Sequence, residues 1–108
     1  MTGERGNLYY GNELIASKVR PDSVRKTRNE EEVLFLEDCD IEGNGDLAHY
    51  SEKKTKVLNN VRDYRINDKG DIAYITEYSG SDDTGELKIY SNGKKYDIDN
   101  DVSAVLYF

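Results

Sequence analysis

Two stretches of this chain, GDLAHYS at 45–51 and GELKIYS at 85–91, share one side-chain pattern at an interval of about 40 residues. Gly45 matches Gly85, Leu47 matches Leu87, Tyr50 matches Tyr90 and Ser51 matches Ser91. With one inserted residue, Val57, Asn59 and Val61 then fall over Ile98, Asn100 and Val102. A fainter copy opens in GNLYYGNELIAS, where Gly6 and Leu8 precede Gly45 and Leu47 by 39 positions. SVRKTRNEEEVLFLED likewise parallels NVRDYRINDKGDIAYITE, each a strand, a polar turn and an apolar strand. Recurrence constrains a fold strongly, because every copy must form the same small unit and bury its apolar face against a neighbour. Approximate units at 6–44, 45–84 and 85–108 follow, within a single domain 1–108.

The units are built from strands. DIAYITEY sets Ile72, Tyr74, Thr76 and Tyr78 against Ala73, Ile75 and Glu77, and ELKIYS sets Leu87 and Ile89 against Lys88 and Tyr90. That period of two is the mark of a half-buried strand. Turn signals in GNGD, DKGD, SGSDDTG and SNGK separate the apolar runs. No window carries a capped helical stripe. The pattern predicts short strands near 7–10, 13–18, 23–28, 32–38, 46–51, 55–59, 61–67, 71–78, 86–91, 94–99 and 102–108. Short connections make successive strands antiparallel neighbours in a meander.

Composition bounds what such a chain can do. Leu, Ile, Val and Phe make up 24 of the 108 residues and charged residues 34%, just above the composition at which a chain cannot offset its ordering entropy. Nine tyrosines tip the balance toward folding, since each buries a ring while keeping its hydroxyl near water. The net charge of -7 argues against nucleic acid as a partner, because phosphate contacts need clustered Lys and Arg. Cys39 is the only cysteine, so an internal disulfide or a multi-cysteine zinc site is ruled out. No apolar stretch has the length of a signal peptide or a bilayer span, so no membrane partner is expected and the default location is cytoplasmic.

INDKGDIAYI, 66–75, resembles the SPDGK-IAY element of TolB-like and WD-repeat-like propellers, in which an Asp-Gly type turn leads into an inner apolar strand. GDLAHYS and GELKIYSNGKKYDIDNDVS look like the DLYYYDGKKKKIDDDVS repeats of propeller-like domains in Gram-positive bacteria. The resemblance implies four-stranded blades and a binding platform. It carries no active site with it. At about 40 residues per blade, the 108 residues make fewer than three blades, whereas closed propellers use about four to eight. The expectation is an all-β antiparallel meander of propeller-like blades that does not close within one chain. It would be a piece of a longer propeller or would assemble with copies of itself, in preference to curling into a small single-chain sheet.

EDCDIEGNGDL, 37–47, offers a candidate calcium loop in Asp38, Asp40, Glu42 and Asp46, since calcium takes several hard oxygens. A twelve-residue helix-flanked loop would need Glu where His49 stands; a shorter hairpin form fits better, with Glu42 in its third place. The corresponding turn YSGSDDTGE has Tyr78 and Gly80 where Asp38 and Asp40 stand, so a plain acidic connection competes with the metal reading. SKVRPDSVRKTR concentrates Lys18, Arg20, Arg25, Lys26 and Arg28, as an anion-binding run or as the charged face of edge strands. His49 has no Ser or Cys nucleophile motif nearby, and Cys39 sits among acids that disfavour its thiolate. No phosphate loop is present.

The expected role is therefore non-enzymatic: a β-repeat module for protein interaction or self-assembly into a homo-oligomer. Edge residues Leu8, Tyr9 and Tyr10 at one end and Val105, Leu106, Tyr107 and Phe108 at the other would carry the contacts. No cofactor is required by this reading. A calcium-dependent binding domain using the acidic loop is the alternative.

Overall fold

The computed structural model describes residues 6–27 and 32–105. Among these, nine strands form a single antiparallel sheet without closure: β1 (Gly6–Tyr10), β2 (Glu13–Val19), β3 (Arg25–Lys26), β4 (Val33–Glu37), β5 (Gly45–Ser51), β6 (Lys53–Ile66), β7 (Ile72–Ser79), β8 (Thr84–Ser91) and β9 (Lys94–Val102). The order across the sheet is β1-β2-β4-β5-β6-β7-β8-β9, with β3 lying beside β4. The all-β antiparallel meander is thus as the sequence predicts.

Three hairpins, β1–β2, β5–β6 and β8–β9, use one pairing scheme. Gly6 faces Val19, Gly45 faces Val61 and Gly85 faces Val102; two residues on, Leu8 faces Ala16, Leu47 faces Leu58 and Leu87 faces Asp99. The register slips at the same two steps in each. The residue before each valine, Lys18, Asn60 or Asp101, takes a positive φ near 60°, which gives the bulge its extra residue and bends the strand. Val19 and Val61 also face Glu37 and Thr76, so each valine joins its hairpin to the strand that follows.

Gly45 and Gly85 are required by close approach. A Cβ on Gly45 would lie 2.7 Å from the Glu37 carbonyl oxygen and 2.6 Å from Cys39 Sγ; one on Gly85 would lie 2.6 Å from the Thr76 carbonyl oxygen. Backbone leaves no room to yield.

Two expected strands, 55–59 and 61–67, are one. Asn59-Asn60 reads as a break, yet Asn60 holds its left-handed conformation (φ 58°) inside the continuous β6, as Asn tolerates well. The expected strand 23–28 shrinks to Arg25–Lys26, because Pro21–Ser23 turn as a 3-10 helix. Strand β7 also departs from the half-buried reading. Ile72–Thr76 is buried on both faces, as is Val33–Glu37 in β4.

The two-faced strands explain the core. Val33 and Phe35 of β4 pack with Ala16, Val19, Ala48 and Tyr50. Leu34 and Leu36, on its other face, join Leu47, Leu58, Val61, Tyr64, Ile72 and Tyr74. Ala73 and Ile75, on the far face of β7, meet Val105 and the partly buried Leu87, Ile89 and Val102. Three apolar layers thus follow one another along the molecule, separated by β4 and β7.

Candidate interaction surface

The sheet ends at β1 and β9. On β1, Tyr9 faces Leu14 of β2 and both are about half exposed, at 56% and 51%. Tyr10 points the other way, its ring 5.8 Å from that of Tyr50, whose hydroxyl donates to Glu13 at 3.4 Å. Leu8 is half-buried against the first apolar layer.

At the opposite end, Ala73 faces Ile89 and Ile89 faces Tyr96, while Ile75 faces Leu87. Cross-strand partners share a face, and so do residues two apart. Ile98, two residues after Tyr96 and at the bulge where Leu87 faces Asp99, joins them together with Asp99. Tyr96 and Ile98 are about half exposed. Val105 is buried against Ala73 and Ile75 as part of the core. Leu106, Tyr107 and Phe108 lie outside the described residues. Sequence reasoning did not single out Leu14 or Ile98 for a surface, and placed Tyr96 only among the strand tyrosines that pack or line a recognition face. The alternation of KKYDIDNDV against ELKIYS places Tyr96 and Ile98 on one side and would have found them.

The acidic loop is a hydrogen-bonded turn. Asp40 Oδ1 accepts from the backbone N–H groups of Glu42 at 2.9 Å and Asn44 at 3.0 Å. Glu42 accepts from the Gly80 N–H, and Asn44 exchanges two hydrogen bonds with the Tyr78 backbone, donating at 2.9 Å and accepting at 3.2 Å. Asp38 sits at positive φ before the turn, and Asp46, in β5, lies 4.0 Å from Lys56 Nζ. The described residues contain no group of three or more His, Cys, Asp or Glu arranged to hold a metal ion. The turn 67–71 has the same bonding. Asn67 Oδ1 accepts from Lys69 at 2.9 Å and Asp71 at 3.0 Å, and Asn67–Gly70 closes as Asp40–Gly43 does.

Two arginines of the basic run turn inward. Arg20 donates to the Gly43 carbonyl at 3.4 Å and pairs with Asp22 at 3.1 Å. Arg25 lies over the Tyr64 ring, 5.0 Å from its centroid, and donates to the Tyr64 carbonyl at 3.3 Å. Arg28 is outside the described residues. Tyr64 is fully buried and its hydroxyl donates to the Ser23 carbonyl at 2.5 Å; burial pushes its pKa well above the usual tyrosine value. Ser23 Oγ accepts from the Leu36 N–H at 2.8 Å. His49 Nε2 is 3.5 Å from Glu32 Oε1. That pair stands at the rim of a cleft of about 390 Å³, floored by Leu34, Val57, Ile72 and Tyr90.

No helix among the described residues is long and apolar enough to cross a membrane. No protein-family model, curated protein or solved structure matches the chain.

Proposed function

We propose that this chain is a non-enzymatic, propeller-like β-repeat module that works by protein interaction, above all with copies of itself. The observation that carries the reading is the recurring hairpin in a sheet that does not close. Gly6–Val19, Gly45–Val61 and Gly85–Val102 are one pairing at three places, and the outermost hairpins retain exposed Tyr9, Leu14, Tyr96 and Ile98. A unit that covers its apolar face only with the next unit leaves the terminal ones for a partner. Edge strands add unpaired backbone groups that a second chain can satisfy.

Light scattering at tens of micromolar protein tests this. The expected mass is a dimer or larger; a well-folded species of 12.3 kDa across the whole range overturns it.

A further inference from the structure

The internal junctions indicate how two copies meet. At the first, Leu8, Ala16 and Val19 pack against Val33, Phe35 and Tyr50. At the second, Leu34, Leu36, Leu47 and Leu58 pack against Tyr64, Ile72, Tyr74 and Tyr90. In each, the forward face of one hairpin and its neighbouring strand is covered by the strands that follow in the chain.

The forward face of the last hairpin has the same construction. Ile75 and Leu87 are paired as Leu36 and Leu47 are, and Ala73 and Ile89 as Leu34 and His49 are. Ile89 faces Tyr96 where His49 faces Thr55. The terminal face thus carries Ile and Tyr where the internal hairpin carries the half-buried His49 and the exposed Thr55, and it carries Asp99 where the internal hairpin carries the buried Leu58. At Ile89 and Tyr96 the terminal face is more apolar than a capping unit, whose polar side turns outward. Among the described residues Val105 packs on Ala73 and Ile75, while Tyr96 and Ile98 stay about half exposed. The first hairpin shows a matching defect on its reverse side, where Tyr9 and Leu14 stand outward.

We propose that these two end faces are the halves of one head-to-tail interface: the Tyr9–Leu14 face of one copy seats on the Leu87–Ile89–Tyr96–Ile98 face of the next. The contact continues the stacking already present inside the chain, and it joins unlike surfaces, so it propagates as a ring or a filament. It rests on the self-association reading above and names the surfaces that carry it.

Two full-length variants test it, Tyr9→Lys with Leu14→Lys and Tyr96→Lys with Ile98→Lys, each checked for the wild-type circular dichroism spectrum. Each variant retains one intact face, so each alone should sediment as a monomer. Mixed in equal amounts they should form a one-to-one heterodimer, because the intact faces are complementary. If charge on the sheet unfolds either variant, the Ser substitutions at the same positions replace it. They should weaken association by about tenfold or more through lost apolar contact. Wild-type assembly that both variants retain overturns the face assignment while leaving self-association standing. A monomeric wild type overturns both. Variants that lose thermal stability but keep wild-type mass would show instead that the face is covered by the chain's own C-terminal residues.

Discussion

At the scale of single residues, most of the polar groups that looked like a site are engaged in shaping turns. Asp40 is the clearest case, because the turn at 67–71 performs the same bonding with Asn67, a neutral residue. Asp40→Asn should therefore leave stability unchanged, whereas Asp40→Ala should cost about 1 kcal/mol by freeing two N–H groups. Denaturant melts with calcium and with chelator check this. The cost should be equal in both, and a cost seen only in calcium would give the loop to a metal. Tyr64 supplies a second test. Its folded pKa is raised above the unfolded value by burial, so stability is full below about pH 10 and falls as pH rises beyond it, when the unfolded chain ionises first. Tyr64→Phe should lower stability by about 1 kcal/mol at neutral pH through loss of the Ser23 bond, and should flatten the alkaline decline. Thermal melts from pH 7 to 11 measure both. The acidic spacing was legible in the sequence. Its engagement with Gly80 and Tyr78, more than thirty residues away, is a tertiary contact that spacing does not reveal.

At the scale of elements, the recurring glycines were readable as letters but not as causes. Gly45 and Gly85 lie within the first two residues of their strands, at a place where a preceding backbone carbonyl comes close. Alanine at either should cost about 1–3 kcal/mol through overpacking against backbone, and the two losses should be similar if the hairpins are built alike. Urea midpoints of the single variants decide this; a loss at one glycine alone would separate the hairpins physically. Strand existence was largely legible because turn residues bracket the apolar runs. Two features were not. Asn59-Asn60 signals a turn by composition, yet Asn60 takes its positive φ within a bulge and the strand continues. The segment at 23–28 has strand-like composition but opens on the 3-10 turn Pro21–Ser23, so among its described residues the strand is Arg25–Lys26. Likewise, VLFL and IAYI are nearly continuous apolar runs, which fits burial on both faces better than alternation does.

For the whole molecule, the order of layers follows from the two-faced strands. Each of β4 and β7 needs cover on both sides, and each receives it from the hairpin before and the strands after. The third layer is the one that the described chain covers least. Edge residues picked from the sequence were placed differently by packing. Val105 belongs to the core and Leu8 is partly buried against the first layer, whereas Tyr9 and Tyr10 are about half exposed, as are Leu14, Tyr96 and Ile98. Their alternation was visible, but which side faced a neighbour depended on how the layers stack. The most direct measurement is a concentration series of backbone amide spectra by nuclear magnetic resonance. Signals of Tyr9, Leu14, Tyr96 and Ile98 should shift or broaden as concentration rises, while those of residues 40–44 stay fixed. Spectra that superimpose throughout, or shifts confined to other surfaces, would contradict association through these end faces.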